Sequence, residues 1–150
     1  MKNVLPFWLD AKHYALEAGC VRSVEPAVEI TPLPKAPDVI MGIIDVHGTI
    51  VPVFDIRKRF RLPKKDLQLS DILILAESKQ RIIALPADSV EPVTRYPQNI
   101  IESPEAVPGL EYVGGIVKLP EGVILIHDVD AFLSLEEEKR LGEAVENYES

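Results

Sequence analysis

One cysteine, Cys20, stands in the whole chain, so no intrachain disulfide can form. That excludes the small secreted scaffolds that lean on covalent cross-links in place of a large core. It also leaves no Cys-x-x-Cys pair for a structural zinc. Aromatic residues are scarce, at 6%, so Val, Ile and Leu must fill the interior. No apolar run approaches the ~18 residues of a membrane-spanning helix. The opening stretch MKNVLPFWLD is too short and too interrupted for a signal peptide. A cytoplasmic setting without direct membrane insertion is the expectation.

Positive charge is also in deficit. Sixteen Lys and Arg face 24 Asp and Glu, for a net charge of −8, which favours solubility and works against a general nucleic-acid binder. Catalytic signatures are missing too. The three histidines, His13, His47 and His127, are scattered and none falls into a His-Glu-x-x-His spacing. No glycine-rich loop opens a helix to cradle phosphate, and no Gly-x-Ser-x-Gly elbow occurs. Asp45 and His47 stand two apart on an expected strand, so they share a face and could ligate a metal or relay a proton. With no third partner in view, a polar outer face is the favoured reading. His127, between an apolar strand and Asp128, reads as structural. The expectation is no catalytic residue, no metal and no cofactor.

What is present is a chain of 150 residues, 47% hydrophobic and 27% charged, a globular balance. Its thirteen prolines argue against long helices. Short Val- and Ile-rich runs bounded by Pro, Gly and Asp mark strands at Val4–Leu9, Tyr14–Ala18, Val39–Val46, Ile50–Phe54, Ile72–Ala76, Arg81–Leu85, Val113–Leu119 and Val123–Ile126. Many short strands separated by turn signals imply barrels or a sandwich, with Ile44, Val53, Ile74, Ile83 and Ile116 expected in the core. The proline-rich segment 26–38 is expected to run extended along the surface, and 94–111 to cross between two units. One helix is predicted over 135–148: Ser134 and Glu137 have capping-box spacing, and Leu135, Leu141, Val145 and Tyr148 give a partial apolar stripe. Gly142 inside it costs roughly 1 kcal/mol. That helix is read as docked on its own domain in preference to a partner-binding arm, and the domain is expected to fold without it.

An internal repeat points further. Gly42-Ile43-Ile44-Asp45-Val46-His47-Gly48 leads into Ile-Val-Pro-Val-Phe and Asp55-Ile56. Gly115-Ile116-Val117-Lys118-Leu119-Pro120 and Gly122 lead into Val-Ile-Leu-Ile-His and Asp128-Val129. Each copy reads as glycine, strand, turn, apolar strand, and an Asp placed to cap a short helical turn. Two related β-units follow. Between them lies a basic cluster, Arg57, Lys58, Arg59, Arg61, Lys64 and Lys65. A solvated turn is its first reading, then contact with an acidic protein, and last a small β-barrel binding nucleic acid or another acidic ligand through residues 57–65.

The stretch GIIDVHGTIVPVFDIRKRF resembles the CheW-like domain family of bacterial chemotaxis. FWLDAKHYALEAGCVRSV is similar to the family's opening hairpin, and RIIALPADSVEPV to a later region in which Asp88 and Val90 match. YVGGIVKLPEGVILIHDVDAFL is similar to its closing strands. The resemblance implies a mostly β fold of two small SH3-like five-stranded barrels, intertwined over residues 1–134, with a C-terminal helix over 135–150. It implies a non-enzymatic adaptor that joins the cytoplasmic tips of methyl-accepting chemoreceptors to the regulatory domain of a CheA-type histidine kinase. By position, Val21, Val24, Val28 and Ile30 match residues that line a receptor-holding groove between the barrels. Asp45, His47 and Gly48 form a partner-facing hairpin, and Arg57 and Lys58 would draw an acidic partner. The chain departs from the family's Asn-x-Arg-Gly at Asp45-Val46-His47-Gly48, and from its usual acid at Ser23. Both members of an expected acid–arginine pair are thereby changed.

Overall fold

Every one of the eight apolar runs forms a strand in the structure, a computed structural model that describes residues 1–104 and 112–149. The strands are β1 (Lys2–Leu9), β2 (Lys12–Glu17), β3 (Val21–Pro26), β4 (Ile40–Val46), β5 (Thr49–Phe54), β6 (Ile72–Glu77), β7 (Ile82–Ala87), β8 (Ser89–Val90), β9 (Thr94–Tyr96), β10 (Ile101–Glu102), β11 (Val113–Leu119) and β12 (Gly122–His127). A one-turn helix α1 (Ile56–Arg59) follows β5, and α2 (Leu135–Glu149) closes the chain. The expected crossing segment 94–111 carries β9 and β10, and its residues 105–111 lie outside the described residues.

The strands sort into two sheets. One runs β3-β6-β7-β5-β4, and the other β10-β11-β12-β2-β1-β8 with β9 also on β1. Among the described residues each contains a single parallel pairing, β5 with β7 and β12 with β2. The repeat noted in the sequence occupies matching places in both: a hairpin (β4–β5 or β11–β12), then an Asp that caps a helical turn. Asp55 accepts from the Lys58 N–H, and Asp128 accepts from the Asp130 N–H. Both hairpins begin with a bulge, between Ile40 and Gly42 and between Val113 and Gly115. Beyond β3 the chain turns back to Thr31, whose N–H and C=O pair with Ile43 at 2.9 and 2.8 Å. This contact closes the second sheet onto β4. In the first sheet β10 takes the corresponding place against Ile116 and Val117. The second barrel is consecutive in sequence; the first combines the N-terminal hairpin with strands from the C-terminal half.

Each barrel has a small interior of its own. Val4, Ala15, Val117, Ile124 and Ile126 fill the first; Ile44, Val51, Val53, Leu73, Leu75 and Ala84 fill the second. A larger core lies between them, where Phe7, Leu16, Phe54, Ile74, Ile83 and Phe132 meet. Strands facing both a barrel interior and this shared core are apolar on both faces, hence the unbroken runs in the sequence. Four of the five expected core residues are buried, and Ile116 is only partly so. Alternation along β11 turns Val117 inward and Ile116 outward. The matching residue of the second barrel, Ile43, is buried because the shared core covers its outer face.

The proline-rich segment is less superficial than its composition implies: Leu33 and Pro37 are buried, Leu33 in the shared core. Helix α2 docks on its own domain. Its capping box forms, with the Glu137 N–H donating to Ser134 Oγ at 3.1 Å and the Ser134 N–H donating to Glu137 Oε1 at 2.9 Å. Leu141 and Ala144 are buried in the shared core. Arg59 and Arg81 clamp the first turns, each 2.6 Å from a carboxylate, on Glu137 and Glu138 respectively. Gly142 leaves room for Arg81, whose Nη2 lies 3.3 Å from where a Cβ would stand. The helix is therefore part of the packing and not a tail.

Candidate functional site

The β4–β5 turn is fixed by its own sequence. His47 and Gly48 take φ values of 51° and 88°, the positive pair that a two-residue hairpin of matching twist requires. The Asp45 carboxylate accepts from the Gly48 N–H at 2.7 Å. Asp45, His47 and Gly48 are all exposed, and the His47 side chain, 87% accessible, reaches within 3.7 Å of Glu25 Oε1. Glu25 lies two residues beyond Ser23 on β3, hence on the same strand face. An acid–base contact thus persists where both members of the expected pair are changed, moved one strand repeat along. It carries full charge only when the imidazole is protonated. No third ligand joins Asp45 and His47, and no metal-binding cluster occurs among the described residues.

Arg57 is turned inward. It is 8% exposed, because α1 points its guanidinium into the junction between the barrels. There it meets Asp10 from the β1–β2 turn at 2.8 Å and Asp88 from the end of β7 at 3.0 Å. Burial alone would lower the Arg57 pKa, but the Asp10 hydrogen bond and the Asp88 charge raise it above the ordinary arginine value. Burial likewise favours the neutral form of Asp88. Hydrogen bonds from Lys65 and the Asp10 backbone, with Arg57 alongside, nonetheless hold its pKa below the usual carboxylate range. Lys65 sits 2.8 Å from Asp88 and 3.5 Å from Asp71. With Arg59 bound to Glu137, three of the six cations of the basic cluster are committed internally. Lys58, Arg61 and Lys64 remain exposed.

The four apolar candidates separate. Val21 is half-buried and packs on the shared core. Val24 and Val28 are 40% and 42% exposed. Val28 and Ile30 line a groove of about 400 Å³ with Met41, Leu67 and Leu69, bordered by Glu29 and Asp66. This groove belongs wholly to the second barrel, between the strand leaving β3 and the loop entering β6. Val21 and Val24 are not among its lining residues. Leu69, 94% exposed, belongs to no apolar run, since the leucines of LPKKDLQLSD are isolated. Their presence in so polar a loop was the available signal.

Two SH3-like barrels sharing a core, an internal ionic lock and an exposed apolar groove define a binding scaffold. The CheW-like domain family model matches residues 3–137. The chemotaxis protein CheW of Klebsiella aerogenes is 27% identical over 139 residues, covering 91% of this chain and 84% of that protein. The CheW of Bacillus subtilis is 28% identical over 138 residues, covering 90% and 88%. The crystal structure of the scaffolding protein TtCheW from Thermoanaerobacter tengcongensis superposes with a TM-score of 0.82 at 30% identity, covering 91% of this chain and 94% of that one. This chain belongs to the CheW-like family, a class of non-enzymatic chemotaxis scaffold and adaptor proteins. No helix among the described residues is long and apolar enough to cross a membrane.

Proposed function

We propose that the chain works in the cytoplasm as an adaptor between the cytoplasmic tips of methyl-accepting chemoreceptors and the regulatory domain of a CheA-type histidine kinase. The observation that carries this reading is the exposed apolar groove at Val28 and Ile30 on a two-barrel scaffold of the CheW kind. Exposed apolar surface concentrated in one place, with polar residues around it, is how a soluble protein marks a partner site. Val24, Asp45, His47, Gly48 and Lys58 complete the candidate surface, all of them exposed. Arg57 leaves it and serves the junction. Binding of nucleic acid through residues 57–65 is disfavoured, since half of that cluster's charge is neutralised within the fold.

Capture experiments test the reading directly. Immobilised chain should retain a receptor cytoplasmic fragment and a kinase regulatory domain. Val28→Glu should abolish retention while leaving circular dichroism and melting temperature nearly unchanged, because Val28 is already 42% exposed. Retention equal to wild type would remove Val28 from the site, and unfolding would place it in the core.

A further inference from the structure

Three features of the groove on the second barrel specify what it takes. Its floor is apolar: Ile30, Met41 and Leu67 pack down onto the barrel interior. Its rim is acidic: among the described residues, Glu29 and Asp66 have no ion pair and their carboxylates no hydrogen bond, and the nearby Lys65 is held by Asp71 and Asp88. Its wall is open backbone. The ladder of β3 ends at Pro26, Ala27 donates to Asp71, and the next backbone pairing is at Thr31. Val28, Glu29 and Ile30 therefore keep their main-chain groups unpaired among the described residues.

We propose that this groove binds an extended peptide segment of a partner protein, with aliphatic side chains in the floor and a lysine or arginine on each flank. The inference takes from the adaptor reading only that this face meets a protein, and it names the chemistry of what arrives. A helical partner satisfies its own main chain and would leave residues 28–30 to water. An extended one supplies donors and acceptors to that wall and alternate side chains to the floor. Two unpaired carboxylates at the rim favour cationic flanks and reject anionic ones, and on a chain of net charge −8 they also speed the encounter.

The test uses the full chain and a fluorescein-labelled peptide with a Val-Leu-Val centre and two lysines on each side. Anisotropy should report saturable binding that weakens with salt, and hydrogen exchange should slow at residues 28–30. The double variant Glu29→Gln with Asp66→Asn should bind about tenfold more weakly, and a peptide with glutamates for lysines should not bind. Equal binding of both peptides, indifference to the double variant, or unchanged exchange at 28–30 overturns the proposal. Capture of the receptor fragment and kinase domain is measured in parallel. Capture with failed peptide binding overturns the groove chemistry alone. Groove-localised peptide binding without capture overturns the adaptor reading and leaves the groove chemistry standing.

Discussion

Gly42 holds the second barrel closed. Its φ is +151°, and a Cβ there would stand 2.3 Å from the Thr31 carbonyl oxygen, which accepts from Ile43. Gly42→Ala must strain the backbone and push away the segment that seals the sheet, so it is expected to cost about 2–4 kcal/mol in urea unfolding. A loss below half a unit would mean the closure adapts freely. His127 makes a different kind of residue-scale statement. It is 3% exposed, stacked against Phe60 at 4.3 Å and close to Tyr14 and Phe132. Burial pushes its pKa down to about 4, against a weaker opposing pull from the Tyr112 backbone. The folded state thus keeps the imidazole neutral while the unfolded chain protonates it near pH 6.5. Stability is full above that value and falls as the pH drops from about 6.5 to 4, by about 3 kcal/mol in all. Melting temperatures measured over that range should fall more steeply for the wild type than for His127→Phe. Parallel slopes would refute the assignment. The sequence carried both residues legibly, as the glycine opening a repeat and the histidine ending a strand. It did not carry their neighbours, because the contacts with Thr31 and Phe60 depend on how the barrels close.

At the scale of elements, strands are readable where apolar residues run along them, on both faces or in alternation as in β11, and obscure elsewhere. β3 alternates between half-buried and exposed positions, so VRSVEP contains no apolar run, and β8, β9 and β10 are two or three residues long, too short for any period. Helix α2 was readable from its cap but not from its stripe. Leu135 and Leu141 are six residues apart, which at 3.6 residues per turn sets them about 120° apart around the axis. One is buried and the other is 89% exposed. Leu141→Ala is expected to cost about 2–4 kcal/mol, as for other fully buried leucines. Removing residues 135–150 strips Leu141 and Ala144 from the shared core and leaves Arg59 and Arg81 without their carboxylates. Calorimetry should show the melting temperature down by more than about 10 °C. A change of only a few degrees would make the helix the dispensable appendage that the repeat boundary near Leu133 implied.

For the whole molecule, the decisive group is the ionic lock at the junction, which the sequence disguised as part of a basic surface. Asp10, Arg57 and Asp88 are far apart in the chain and come from a turn of the first barrel, a helix between β5 and β6 of the second, and the crossing that follows β7. Arg57→Ala would leave two carboxylates facing each other and is expected to cost about 2–4 kcal/mol, with Lys recovering only part because it lacks the guanidinium fork. Full recovery by Arg57→Lys would show that charge alone holds the junction. The interleaving of the barrels also has a consequence for biosynthesis. β1 and β2 leave the ribosome first, yet β12, which pairs with β2, is encoded about a hundred residues later. At translation speeds of roughly 5–20 residues per second, the hairpin bearing Leu5, Phe7, Leu9, Tyr14 and Leu16 spends roughly five to twenty seconds without its β12 neighbour. The second barrel has all its strands once Ala87 has emerged. It can close in that interval and offer the waiting hairpin its only folded surface, so the half of the protein made in the middle templates the half made at both ends.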